Sequence, residues 1–119
     1  MDLSDRVKEI VQPLYEKTSW EHGWPHIESV SKNTRYLADI VGADHELSQI
    51  AAYCHDLGRV SEKRLPGLGN TEHSINSVSE SIKLLTSLRA DDYTISNVVS
   101  AVSVHSDKLY NGNNIVAKV

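Results

Sequence analysis

The chain has 119 residues, of which 39% are apolar and 24% charged, and this balance predicts one globular domain over residues 1–119 with a single hydrophobic core. The formal net charge of -4 argues against a nucleic-acid backbone or an anionic membrane as the main partner, because both bind basic surfaces. No apolar stretch is long enough to cross a bilayer, and the single cysteine, Cys54, excludes an internal disulfide and favours a reducing, cytoplasmic location.

The apolar spacing predicts an all-α fold, a compact bundle of five to six helices, and no stretch alternates as a strand would. The first helix covers residues 4–19, and Pro13 is expected to kink or divide it. The second helix starts at Pro25 and stops at Gly42. The positions expected to face the core are Val7, Ile10, Val11, Leu14 and Tyr15 in the first helix, and Ile27, Val30, Thr34, Leu37, Ala38 and Val41 in the second.

The third helix is predicted at residues 44–56, and a long connection of the kind found in functional lids follows at 57–70. The fourth helix begins after an N-cap at Thr71, and the fifth runs from Asp91 or Asp92 to about His105. The expected core positions are Leu47, Ile50, Ala51 and Cys54 in the third helix, Ile75, Val78, Ile82, Leu85 and Leu88 in the fourth, and Ile95, Val98, Val99 and Val102 in the fifth.

The adjacent His55 and Asp56 are the first candidates for a functional site. They are predicted in the last turn of the third helix, with Gly58 as its stop. Neighbouring helical residues point about 100° apart, so an imidazole and a carboxylate at these positions can bind one divalent ion from two sides. An isolated pair is more often a histidine that caps a carbonyl beside a solvated aspartate. The decision therefore depends on where the other histidines lie.

Short links between helices of similar length favour antiparallel neighbours, so each helix of about 20–28 Å retraces the one before it. This alternation brings five side chains to one end of the bundle: His26, His55, Asp56, His73 and His105. Such a convergence predicts a metal or catalytic cluster. His45 falls at the opposite end and is expected to be solvated, while His22 lies in the loop before the site and is expected to border it without binding metal.

Four segments resemble the HD-domain superfamily of metal-dependent phosphohydrolases: His26 after a Trp-Pro pair, AAYCHDLGRV at 51–60, TEHS at 71–74 and AVSVHSD at 101–107. The resemblance implies an all-α fold and a divalent metal ion (Mn, Fe, Mg, Zn, Co or Ni) held by His26, His55 and Asp56. It also implies that His73 and His105 bind a second metal or the substrate phosphate.

The activity implied by the resemblance is hydrolysis of a small phosphorylated substrate, a nucleotide, by water that the metal activates. Asp56 would also accept a proton, His73 and His105 would contact phosphoryl oxygens, and Arg59 would supply a cation. Lys63 and Arg64 fit a solvated surface better. Two alternatives stay open: an HD-type module that binds metal or nucleotide with weak or no catalysis, and a metal-free acid–base enzyme.

The sequence departs from the family pattern at its end, where the last metal-binding aspartate would follow a further helix. Residues 115–119 begin such a helix, which favours a chain truncated before that aspartate. Asp107 is the nearest carboxylate otherwise. Neither the oligomeric state nor the exact substrate follows from the sequence.

Overall fold

Six helices form the described part of the chain, which in this computed structural model comprises residues 2–17, 23–61 and 70–104, without the side chains at 59, 61, 70–74 and 104. They are α1 (Leu3–Glu16), α2 (Trp24–Val41), α3 (His45–Cys54), α4 (Leu57–Ser61), α5 (Asn70–Ser87) and α6 (Asp92–Val104). These residues contain no strand, so the predicted all-α fold is confirmed. Among these six helices, none combines the length and apolar character needed to span a bilayer.

Local signals set several of the helix ends as predicted. Gly42 ends α2 in the left-handed conformation with a φ of 75°, a backbone geometry that glycine adopts without steric cost. Asp44 then caps α3, since its carboxylate accepts a hydrogen bond of 3.0 Å from the Leu47 backbone N–H. Pro25 is the second residue of α2 rather than the first. Pro13 does not divide the first helix, because α1 continues through it to Glu16, and the alternative of a kink at Pro13 stays a prediction.

The largest difference from the sequence-based expectation lies after α3. That helix ends at Cys54, so His55 and Asp56 form a turn instead of its last helical residues. The chain then re-enters a helix at once, and Gly58, predicted as a stop, is a buried residue inside α4. Residues 57–61 are thus helical where a long connection was expected. The predicted lid residues Lys63 and Arg64 lie outside the described residues.

α3 is the central helix and packs against α1, α2 and α6. The Ser4 backbone N–H near the start of α1 donates to the Glu46 carboxylate near the start of α3, while the Tyr15 hydroxyl near the end of α1 reaches the Tyr53 carbonyl near the end of α3. α1 therefore runs parallel to α3. The short link at Gly42 reverses the chain, so α2 is antiparallel to α3 and begins where α3 ends.

The core confirms the apolar positions of α3 and corrects part of those in the other helices. All four α3 positions are buried, as are Val7, Val11, Tyr15, Ile27, Ala38, Leu85, Val98 and Val102. In α5, however, Ile75 and Ile82 are 62% and 42% exposed, and Ser77 and Ser81 are buried in their place. Small serines allow α5 to approach α4 closely, since the Ser77 hydroxyl meets the Gly58 backbone. The same correction applies to four further positions, all at least 38% exposed: Ile10, Leu14, Leu37 and Val41.

Candidate metal centre

His26, His55 and Asp56 lie together where the start of α2 meets the turn after α3. One potential ligand atom from each lies within 4.8 Å of the other two. The Asp56 Oδ2 atom is 3.8 Å from His26 Nε2 and 3.4 Å from His55 Nε2. Among the side chains that the structure describes, these form the one group of three or more histidine, cysteine or acidic side chains with this spacing. A helix and a turn far apart in sequence thus supply the three groups.

The start of α2 is held in place by aromatic packing. Trp24, the first residue of α2, is 7% exposed, and its ring stacks on the Tyr53 ring with centroids 6.1 Å apart. Lys8 of α1 places its Nζ atom 5.9 Å from the Trp24 ring centroid, within range of a cation–π contact. Because Trp24 is fixed against the end of α3, His26 two residues later is brought to the His55–Asp56 turn.

The His55 ring is oriented by its own helix. Its Nδ1 atom lies 2.5 Å from the Ala52 carbonyl oxygen. A hydrogen bond to a carbonyl requires a proton on Nδ1, so Nε2 keeps its lone pair in the neutral ring. That Nε2 atom is the one directed at Asp56. A backbone carbonyl that fixes the tautomer in this way is the usual second partner of a metal-binding histidine.

The two separations measured from Asp56 Oδ2 are close to those of ligand atoms that share one metal ion. At 3.4 and 3.8 Å, the two contacts of Asp56 Oδ2 exceed the usual N–H···O range of about 2.7–3.2 Å. Two ligand atoms that each lie about 2.1 Å from one tetrahedral ion are roughly 3.4 Å apart. Two imidazole nitrogens and a carboxylate oxygen are also a suitable donor set for borderline divalent ions. The residues present therefore fit a divalent metal.

The three side chains of the site differ in their exposure to solvent, which rises from Asp56 through His55 to His26. The Asp56 side chain is 8% exposed, His55 15% and His26 41%, so the carboxylate lies at the base and His26 at the solvent side. The carbonyl end of α3 also points at this turn, and its partial negative charge favours a cation there. A small molecule can therefore approach the three groups from the side of His26.

The other predicted site residues are only partly described. His73 lies in the first turn of α5, four residues before Ser77, whose hydroxyl contacts Gly58. This places the backbone of His73 one helical turn from a residue that contacts α4. Arg59 is the third residue of α4. The side chains of both lie outside the described part, and so do His22, His105 and Asp107 altogether. Their roles, like those of the three grouped residues, stay predictions.

The residues that the sequence assigned to places away from the site, His45 and Cys54, do lie away from it. His45 is the first residue of α3, at its opposite end, and its half-exposed ring pairs with the Asp39 carboxylate. Cys54 is fully buried, and burial raises the pKa of its thiol to about 12. A thiol with so high a pKa is a poor nucleophile, in agreement with its predicted place in the core.

Two hydroxyls beside the site were not recognised as supporting groups in the sequence. Tyr15 was expected only as a core residue of α1, yet its hydroxyl donates to the Tyr53 carbonyl over 2.6 Å. Ser77 fell outside the expected apolar face of α5 and accepts a hydrogen bond of 2.8 Å from the Gly58 backbone N–H. Both contacts join residues distant in sequence, and no local pattern identifies them.

An all-α domain in which one histidine of a helix meets a histidine and an aspartate of a turn has the ligand set of a divalent-metal protein. The family model described as HD domain matches residues 23–116. Because this match covers most of the chain, the protein belongs to the HD domain family, which is part of the HD-domain superfamily of metal-dependent phosphohydrolases. Neither the comparison with curated proteins nor the comparison with solved structures gives a significant match.

Proposed function

We propose that this protein is a metal-dependent phosphohydrolase that acts on a small phosphorylated substrate, a nucleotide. The observation that carries the proposal is the meeting of His26, His55 and Asp56 at one turn in a member of the HD domain family. These three residues would hold a divalent ion, one of Mn, Fe, Mg, Zn, Co or Ni.

A bound divalent ion lowers the pKa of water and offsets negative charge on phosphoryl oxygens. Asp56 accepts the proton of the attacking water, since its carboxylate lies at the base of the site and is shielded from bulk solvent. His55 keeps its Nε2 lone pair directed into the site through the bond between Nδ1 and the Ala52 carbonyl. His26, on the exposed side, marks the direction from which substrate enters.

We assign the binding of the substrate phosphate to His73, His105 and Arg59. The backbone placement of His73 near the start of α5 and of Arg59 in α4, three residues after Asp56, supports this assignment. Cationic or hydrogen-bonding groups at these positions would neutralise the non-bridging oxygens. A net charge of -4 disfavours long polyanions as partners and leaves small phosphorylated molecules.

The test is a turnover assay on protein stripped with a chelator and reloaded with Mn²⁺. The substrates are a generic aryl phosphate and nucleoside mono-, di- and triphosphates, and the product measured is phosphate or diphosphate. We expect turnover that requires the metal and that falls by about 10²–10⁴-fold or more in Asp56→Ala. His45→Ala is the matched control, since it removes a histidine at the other end of the same helix, and its turnover should equal that of wild type.

Two outcomes would replace this proposal by one of its alternatives. Metal that copurifies without turnover of any substrate in the panel would indicate a non-catalytic HD module that binds metal or nucleotide. Full turnover after the metal has been removed and shown absent by elemental analysis would indicate a metal-free acid–base enzyme.

A further inference from the structure

The end of α3 is closed by side chains, without a glycine cap. The last carbonyls of a helix have no partner within the helix and must find one elsewhere. Here the Ala52 carbonyl is bound by the His55 ring at 2.5 Å, and the Tyr53 carbonyl accepts from the Tyr15 hydroxyl at 2.6 Å. α1 therefore holds the chain immediately before the His55–Asp56 turn.

A second buried hydroxyl holds the chain immediately after this turn. The Gly58 backbone N–H donates to Ser77 Oγ of α5 over 2.8 Å. Ser81, one turn further along α5, donates its own hydroxyl to the Ser77 carbonyl over 2.6 Å, so neighbouring groups of α5 are bonded as well. Tyr15, Ser77 and Ser81 are all 0% exposed, so water does not compete for these bonds.

We propose that Tyr15 and Ser77 are positioning residues of the metal centre, which fix the turn between Tyr53 and Gly58 from both sides and thereby set the places of His55 and Asp56. The inference rests on the proposed function, in which His55 and Asp56 are ligands of a metal ion. It goes beyond that function because neither hydroxyl belongs to the three-residue group.

The geometry explains why this turn needs external support. α3 ends at Cys54 and α4 begins at Leu57, so the two ligands lie on a two-residue turn between two helices. A carboxylate and an imidazole bind one ion only when their separation is kept, and here they are 3.4 Å apart. Loss of either hydroxyl frees one side of the turn and leaves a buried backbone group without its partner.

The experiment is a Co²⁺ titration of the purified chain, which measures the dissociation constant and the visible absorption spectrum at saturation. The variants are Tyr15→Phe and Ser77→Ala, each of which removes one hydroxyl and little volume. We expect each to weaken Co²⁺ binding by about 10–100-fold, as for groups that orient metal ligands, and to change the visible bands that report ligand geometry. Ser77→Ala should also speed hydrogen exchange of the Gly58 amide.

The matched control is Asp44→Ala, which removes a hydrogen bond at the opposite end of α3 and lowers thermal stability without touching the turn. Its dissociation constant and spectrum should equal those of wild type. Wild-type affinity and spectrum in both hydroxyl variants would overturn the proposal while leaving the metal centre intact. An equal loss of affinity in Asp44→Ala would also overturn it, since the effect would then follow stability alone. Absence of Co²⁺ binding by wild type would defeat the proposed function, and this inference with it.

Discussion

Replacing Asp56 with alanine is expected to abolish the stabilisation that Mn²⁺ gives to the folded chain. A ligand that binds only the native state at roughly 100 times its dissociation constant stabilises it by about 2.7 kcal/mol. The unfolding entropy of 119 residues is about 250 cal/mol/K. The ion should therefore raise the Tm of wild type by about 11 °C. Removal of the buried carboxylate leaves two imidazoles, one of them largely exposed.

A loss of about 100-fold in affinity, the upper figure for groups that only orient metal ligands, reduces the stabilisation at the same Mn²⁺ concentration to about 0.4 kcal/mol. The shift in Tm then falls to about 2 °C or less. The assay is thermal unfolding followed by circular dichroism, with each variant measured with and without Mn²⁺ so that its own stability cancels. His45→Ala should keep the full shift, because His45 is at the opposite end of α3 from the site and its partner Asp39, near the end of α2, is exposed. Equal shifts in Asp56→Ala and wild type would refute the reasoning, as the ion would then be bound elsewhere.

Three further predictions concern Ser48, Arg89 and Cys54. Ser48 is 1% exposed and its hydroxyl has no hydrogen-bond partner in the described part of the chain, so Ser48→Ala should raise the free energy of unfolding by about 1 kcal/mol and the Tm by about 4 °C; an unchanged or lower Tm would contradict this. Arg89 lies in the turn two residues after α5 and has a φ of 60°, so Arg89→Gly should raise the free energy of unfolding in urea by about 0.5–1 kcal/mol. A lower free energy of unfolding would show that the arginine is not strained. The pKa of about 12 and full burial of Cys54 should slow its alkylation at pH 8 by about 10³-fold relative to the urea-unfolded chain, whereas equal rates would mean that the thiol is accessible.

The same Cys54 shift sets a direction for stability at high pH. The ordinary pKa of this thiol is 9.0 and burial raises it to about 12, so the unfolded chain loses the proton first. The contribution to folding is therefore fully present below pH 9.0 and is lost as the pH rises toward 12. Burial also raises the pKa of Tyr15, and charge interactions with Cys54 and Asp56 raise it further by smaller amounts.

The sequence predicted what depends on chain order and on apolar spacing. α3 is surrounded by other helices, so its apolar positions, from Leu47 to Cys54, are buried as their period indicates. The link at Gly42 reverses the chain, and this alone brings the first turn of α2 to the end of α3. For that reason the sequence alone predicted that His26 lies close to the His55–Asp56 pair.

The sequence did not predict what depends on hydrogen bonds between distant residues. At the break after Cys54, the Tyr53 carbonyl accepts from Tyr15, 38 residues earlier, and no helical period contains that information. Likewise Ser77, which accepts from the Gly58 backbone N–H, is buried in α5, whereas Ile75 and Ile82 are exposed. An apolar pattern predicts an isoleucine rather than a serine on the buried face of a helix. Where two helices approach closely, the smaller serine is buried instead.

The central claim is that His26, His55 and Asp56 bind one divalent ion together, and diffraction tests it most directly. Crystals of the chain grown with Zn²⁺ and measured on both sides of the zinc absorption edge would locate the ion by its anomalous signal. We expect one peak about 2.0–2.2 Å from the Nε2 atoms of His26 and His55 and from a carboxylate oxygen of Asp56. A fully occupied peak bound by other residues, or an Asp56 carboxylate that bonds both imidazoles directly in the presence of excess Zn²⁺, would contradict the account.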